Sequence, residues 1–321
     1  MSQLYYFIEP TGYNKYVASA AIGMNNAKIF SGFGSKLEAK VFKWHYAWTL
    51  NKRTELPFKK YWERRFVKTL PPNCDYILLA ESFHISYSKS FLLYLRDTFN
   101  KSKICFVFSN PVSDYNLEKI RKNECYYDAI LTFSKDDAVK YGFQYCEVLP
   151  FRLPEADPNI KVKNDVFFVG ENKGRLDTIL KIYETLTKQG LKCKFYIVGV
   201  PEDEQIPKEG IIYNQRISYE KVLTEIQASR CVLEVLQKGC NYVSMKTCEA
   251  IHYHKKLLTT NKYADQSQLY NNQFIRIIKN NDDLDRMFID KEVPDQIYQD
   301  TKLVESYGPL IIYLDNLFSK S

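Results

Sequence analysis

No stretch of this sequence approaches the roughly 18 uninterrupted apolar residues that a membrane-spanning helix needs. The start, Met1 to Pro10, has no basic segment followed by a long apolar run, so no signal peptide is expected. Eight cysteines are scattered without a Cys-x-x-Cys pair. Cys105, Cys193 and Cys231 sit inside apolar runs, where a thiol behaves as a small hydrophobe. Disulfide and metal frameworks are therefore not expected, and a reducing cytoplasm fits. Histidine is scarce: His45, His84, His252 and His254 show no ligand spacing on convergent elements. No metal and no other cofactor is expected. Tandem repeats and low-complexity tracts are lacking too.

What is present suits two globular domains. The 321 residues exceed one ordinary domain, and 45% hydrophobic residues are enough to fill two cores. The 25 Tyr and 20 Phe suit sugar faces and membrane interfaces, but equally plain packing. The net charge of +7 is uneven: residues 36–70 hold ten Lys or Arg against three Glu, which is the whole excess.

The second half reads as alternating strands and helices. Buried runs at 165–170, 194–199, 210–213, 231–236, 256–260 and 274–278 read as strands. Between them, Leu176, Ile179, Leu180, Tyr183 and Leu186 recur at helical spacing. Ser218 and Ser244 open further helices. Such alternation predicts an α/β fold with a parallel, doubly wound sheet, whose ligands bind at the carboxyl ends of the strands. The first half also reads as α/β, with strands at 4–8, 76–80, 104–108 and 129–133, a helix at 136–141 and an edge strand at 147–150. Three prolines between Pro150 and Pro158 mark the hinge. Gly308–Phe318 reads as an apolar helix.

Two loops carry the chemistry. Gly170-Glu-Asn-Lys173-Gly174-Arg175 ends a strand and opens a helix, bringing two cations and backbone amides together in a way that suits a diphosphate. A solvated βα loop would carry the same residues. Ser244-Met-Lys-Thr247-Cys-Glu249 begins a helix, and a carboxylate one turn inside it can accept both hydroxyls of a ribose. The same acid would also complement the helix dipole.

These motifs carry a resemblance. The Gly-x-x-Lys-Gly-Arg loop, the later Ser-x-Lys-Thr-x-Glu-Ala and the following Lys-Lys-Leu-Leu-Thr-Thr-Asn resemble bacterial glycosyltransferases of capsule, exopolysaccharide and lipopolysaccharide assembly, similar to glycosyltransferase family 4. The stretch Asp128 to Gly142 looks like that family's last N-domain strand and helix. The resemblance implies a GT-B fold, in which two Rossmann-like domains face a cleft and the last helix crosses back to the first domain. It implies domains at 1–152 (acceptor side) and 153–306 (nucleotide-sugar side), with the 307–321 helix on the former. It implies that Lys173 and Arg175 contact a donor diphosphate with Gly170, that Glu249 holds the ribose, and that Ser244 and Thr247 lie near the phosphates. Eight positions before Glu249, where the family carries a second glutamate toward the donor sugar, this chain has Asn241.

The acceptor would enter through the first half, where Thr11, Gly12, Tyr13 and Asn110 lie at strand ends. Glu81, His84 and Asp114 are the base candidates, each of them also readable as an ordinary loop residue. Asp283-Leu-Asp285 has metal-binding spacing but falls at a predicted helix start, where acids are expected anyway. Phe58, Tyr61, Trp62, Phe66 and Leu70, like Leu37, Val41, Trp44 and Trp48, recur at helical spacing among cations. A basic amphipathic helix of this kind lies on an anionic bilayer, or packs on a core with a solvated basic face. No nucleic-acid module accompanies the charge, so no nucleic-acid partner is expected.

The expected activity is metal-independent transfer of a sugar, a hexose, from a UDP-linked donor to a lipid-linked or growing polysaccharide acceptor. The expected place is the cytoplasm, at the inner face of the membrane. The alternative is a non-catalytic GT-B subunit that binds or activates a partner transferase, and a third reading is a nucleotide-sugar epimerase.

Overall fold

Parallel strands covered on both faces must be apolar throughout, and the strands of this chain are. The computed structural model describes residues 1–8, 12–30, 33–51, 56–81, 89–147, 150–237, 240 and 242–319. Thr11, His84 and Asn241 lie outside the described residues. The chain divides into two compact units, Met1–Arg152 with Val304–Ser321, and Leu153–Leu303.

The first unit holds strands β1 (Leu4–Phe7), β2 (Ala27–Ile29), β3 (Tyr76–Ala80), β4 (Lys103–Val107), β5 (Ala129–Thr132) and β6 (Gln144–Tyr145). They form one parallel sheet in the order β2-β1-β3-β4-β5-β6. Its core is aromatic: Phe7, Phe42, Phe66 and Phe91 are each 2% exposed or less. The helix Gly308–Phe318 belongs to this unit. It buries Leu310, Ile311 and Leu314, and Asp315 accepts from Ser2 Oγ and the Tyr76 hydroxyl, both at 2.6 Å. Tyr307, fully buried just before it, donates to Val17 O at 3.1 Å. Phe151 N donates to Val304 O at 3.0 Å, so the two ends of this unit's broken chain are tied together.

The second unit holds β7 (Asn164–Glu171), β8 (Cys193–Val198), β9 (Ile211–Tyr213), β10 (Ser229–Glu234), β11 (Lys256–Thr259) and β12 (Ile275–Ile277). Again all are parallel, in the order β12-β11-β10-β7-β8-β9. The helix Leu176–Lys188 lays Ile179, Ile182, Tyr183 and Leu186 on the sheet, and Gly190 at φ +74° ends its turn.

The last strand of the sheet is Gln144–Tyr145; of the stretch 147–150 expected as an edge strand, residues 148 and 149 lie outside the described ones. The stripe Leu37, Val41, Trp44 does not face the core. All three are exposed, at 71%, 46% and 63%, while Phe42 on the same helix, Lys36–His45, is buried. The reason is the neighbouring aromatic cluster: Phe42 packs its ring on Phe33, Trp62 and Phe66 at 4.8–5.3 Å. The Trp48 side chain is outside the described ones.

Candidate functional site

In an open parallel sheet, ligands gather where the strand order reverses, because loops from neighbouring strands then diverge and leave a crevice. The second unit reverses between β7 and β10. The first reverses between β1 and β3.

At the β7–β10 reversal the two expected loops meet. Lys173 and Gly174 both take left-handed backbone, at φ +42° and +74°, so the chain turns sharply from β7 into the helix Leu176–Lys188. Asn172 Oδ1 accepts from Arg175 N at 3.2 Å and Leu176 N at 3.0 Å, capping the helix start. Two of the amides expected to face an anion are thus already engaged. Arg175 does not project outward either. Its guanidinium donates to Glu171 O at 3.0 Å and to Val235 O, bracing the end of β7 against the residue after β10. An Arg175 nitrogen also lies 3.0 Å from where a Cβ on Gly170 would sit, so glycine there gives the guanidinium its room.

The exposed cations of the crevice are Lys173 and, from the loop after β9, Arg216. Glu171 pairs with both, with Arg216 at 2.9 Å and Lys173 at 3.5 Å, and the bond from Arg216 holds its carboxyl below the usual range. Arg216 is missed by sequence reasoning, since it stands 41 positions from Arg175 with no motif around it.

The helix Met245–His252 starts at the same place. Ser244 caps it, accepting from Lys246 N at 3.0 Å. Glu249, 1% exposed, lies one turn inside and accepts from the Tyr219 hydroxyl at 2.5 Å and from Lys246 Nζ at 3.1 Å. Thr247 is buried beside it. Behind them stands Glu234, the last residue of β10 and 4% exposed, whose carboxyl takes hydrogen bonds from Ser244 Oγ and from Thr259 Oγ1. Burial pushes its carboxyl above the ordinary value. The Lys-Lys of the sequence motif is at the opposite end of β11. Lys255 Nζ donates to Gln227 O at 2.8 Å, and Lys256 Nζ donates to Phe288 O and Lys291 O. Both lysines act as caps on neighbouring carbonyls, away from the crevice.

At the β1–β3 reversal, Tyr13, Glu81 and Asn110 come together. Glu81 follows β3 and is 9% exposed. One of its oxygens accepts from Ser109 N, Ser109 Oγ, Asn110 N and Asn110 Nδ2 at 3.1–3.2 Å, and the other from Asn116 Nδ2 at 2.5 Å. Burial raises the Tyr13 hydroxyl's affinity for its proton, and the Glu81 carboxylate adds to this. Glu81 therefore anchors the loop between β4 and the helix Asp114–Arg121, a part that sequence reasoning did not give it. Burial raises its carboxyl's affinity for a proton. Gly12 takes φ +56° at the turn before Tyr13. Asp114 is exposed at the helix start, capped by Ser113. Asp283 and Asp285 likewise sit at helix starts, Asp283 in a capping box with Asn280 and Asp285 accepting from Met287 N. Among the described residues no group of three His, Cys, Asp or Glu could hold a metal ion.

No protein-family model matches the sequence, and no curated protein matches it. Solved structures do. The catalytic domain of starch synthase IV from Arabidopsis thaliana, bound to ADP and acarbose, superposes with a TM-score of 0.58 at 9% identity, covering 100% of this chain and 99% of that one. HepE of Anabaena, in complex with UDP and glucose, gives 0.52 at 10% identity, with 100% and 99% covered. A putative UDP-N-acetylglucosamine 2-epimerase from Listeria monocytogenes gives 0.50 at 8% identity, with 100% and 97% covered. At such identities the likeness is one of fold, and that fold, two Rossmann-like units each built on a parallel six-stranded sheet, is GT-B.

Proposed function

We propose that the protein is a glycosyltransferase that takes a sugar, a hexose, from a UDP-linked donor without a metal ion. The observation that carries this reading is the β7–β10 crevice. There the exposed cations Lys173 and Arg216 stand at one side and the buried carboxylate of Glu249 at the other. A diphosphate needs cations that neutralise charge as it departs, and positive groups held in place before reaction do this at least reorganisation cost. A ribose needs a fixed acceptor for its two hydroxyls, and Glu249 supplies one once Lys246 or Tyr219 turns toward the ligand. Arg175 contributes by shaping the loop and by adding positive potential behind it. Solved relatives in fold carry ADP or UDP, which supports a nucleotide as the ligand.

The acceptor side we assign to the β1–β3 end of the first unit, with Tyr13, Asn110 and the loop that Glu81 anchors. Glu81, His84 and Asp114 are its base candidates. The acceptor we propose is a lipid-linked or growing glycan at an anionic membrane surface. Support comes from the outer face of the basic segment, where Leu37, Val41, Trp44, Phe58 and Tyr61 are all exposed. Beside them runs a groove of about 710 Å³ lined by Phe58, Lys60, Tyr61, Arg64, Arg65 and Lys68. Apolar side chains with a rim of cations fit the headgroup boundary. No helix among the described residues is long and apolar enough to cross a membrane.

The test is turnover of a panel of nucleotide sugars by the purified protein, with and without a lipid extract. Transfer that requires the extract supports the reading. Product without any acceptor indicates an epimerase, and UDP binding without turnover of any donor indicates a non-catalytic subunit. Co-sedimentation with phosphatidylglycerol vesicles tests the surface: replacing Lys60, Arg64, Arg65 and Lys68 by Gln should release the protein. Lys59 is left intact because it is buried against the Tyr46 ring.

A further inference from the structure

Glu234 lies in the crevice wall, and no part of the donor reading above uses it. Its surroundings are specific. The carboxyl is 4% exposed at the last position of β10 and is met by two hydroxyls, Ser244 Oγ on one oxygen and Thr259 Oγ1 on the other. A hydroxyl has one proton to give. Since Ser244 gives its proton to Glu234, its oxygen is left to accept, and it takes Lys246 N at 3.0 Å, the bond that caps the helix Met245–His252. Thr259 does the same on the other side: its oxygen accepts from Asn261 N at 2.9 Å and turns the chain after β11. Asn261 Nδ2 then donates to Tyr242 O at 3.1 Å, reaching back to the segment before Ser244. The main chain closes the ring, because Thr260 N donates to Glu234 O at 3.0 Å and Thr260 Oγ1 accepts from Leu236 N at 2.8 Å.

We propose that Glu234 is a positioning residue of the donor crevice: by accepting from Ser244 and Thr259 at once, it fixes where the helix Met245–His252 begins and so where Glu249 and Lys246 stand. The proposal rests on the donor reading of that crevice. Its logic is that of a hub. An ionised carboxylate accepts on two faces without offering a proton, so it sets the direction of both hydroxyls and, through them, of two backbone turns. Burying an acid in this place costs solvation, which its raised proton affinity records. A hydrophobic residue would fill the same volume at lower cost, but would leave both hydroxyls free to turn the other way.

The experiment is UDP binding by calorimetry on wild type, Glu234→Ala, Glu234→Gln, Ser244→Ala and the double variant Glu234→Ala/Ser244→Ala, with the unliganded melting temperature of each. Glu234→Ala should weaken UDP binding by at least about tenfold, a clear fraction of a charged hydrogen-bond network. Glu234→Gln keeps the shape and one acceptor but loses the other, so it should weaken UDP binding measurably, by less than Glu234→Ala does. The double variant should lose little more than the worse single one, because both act on the same helix start. If Glu234→Ala lowers the melting temperature but binds UDP as wild type does, Glu234 is structural only and the proposal is overturned. Additive losses in the double variant overturn it too, since the two residues would then act separately. If Glu234→Ala does not fold, Glu234→Gln with Thr259→Val, which removes one arm of the hub, must still weaken UDP binding. A wild type that binds no UDP at all defeats the donor reading itself, and with it this proposal, and that outcome is distinct from every variant-specific one.

Discussion

Replacing Glu249 by alanine separates a structural effect from a binding effect. The carboxylate is 1% exposed and holds the Tyr219 hydroxyl at 2.5 Å and the Lys246 ammonium at 3.1 Å. Alanine leaves both donors without it. Breaking a buried ion pair by removing one partner costs about 3–5 kcal/mol. The Lys246 side chain is 20% exposed, so water can relieve part of that, and about 2–3 kcal/mol is the expected loss of stability. Urea unfolding followed by circular dichroism reads it. The donor reading adds a second loss. A ribose held by charged hydrogen bonds loses about 1–3 kcal/mol with the carboxylate, roughly 5- to 150-fold in the Kd for UDP by calorimetry. Glu249→Gln should keep the Tyr219 bond and lose the pairing with Lys246, falling between alanine and wild type in both assays. Folded Glu249→Ala that binds UDP unchanged refutes the ribose role. An unchanged urea midpoint refutes the buried pair.

Arg175→Lys replaces a fork by a point charge that cannot reach Glu171 O and Val235 O together, so thermal unfolding should show a loss of about 1–3 kcal/mol although the charge is kept. Gly210 takes φ +80° and a Cβ there would lie 2.1 Å from Cys193 O, a backbone atom that cannot step aside; Gly210→Ala should cost at least about 3 kcal/mol or fail to fold, read by urea midpoint and soluble yield. Burial raises the Glu81 carboxyl above its unfolded value of 4.5, so the folded state binds more protons between the two values and stability falls as pH rises through that window. Urea midpoints of Glu81→Gln, which cannot ionise, should lack that part of the decline; identical pH profiles for variant and wild type would contradict it.

The second unit was the more legible in sequence, for a physical reason. Its central strands are covered on both faces, so Phe167, Phe195, Val232 and Leu258 fall in unbroken apolar runs, while Ile179, Ile182 and Leu186 keep the helical period between them. In the first unit β2 has three residues, one of them the exposed Lys28, and offers no run to read. The aromatic segment leaves two readings open in sequence because Trp44 and Phe42 carry the same hydrophobic signal, and only the place of Phe33, Trp62 and Phe66 decides which of them turns inward. At the crevice, Lys173, Ser244 and Glu249 stand out in sequence because each lies within about a turn of a helix start that follows a strand. Arg216 and Tyr219, from the connection after β9, and Glu234, at the end of β10, meet there only through the strand order. Their part is a tertiary fact with no local signal.

The second unit is a single continuous stretch inserted between Arg152 and Val304 of the first. Vectorial synthesis gives this arrangement a consequence, because domains fold as units while the chain emerges. Residues 1–152 leave the ribosome first, yet the space that Tyr307, Leu310 and Leu314 fill stays open until the chain has passed residue 303. During that interval Tyr6, Val17 and Tyr76, which meet this last segment, face water, while the inserted unit has all its strands and can close. The half begun first is therefore completed last, and a chain truncated after residue 303 should expose an incomplete first sheet to chaperones beside a finished second one.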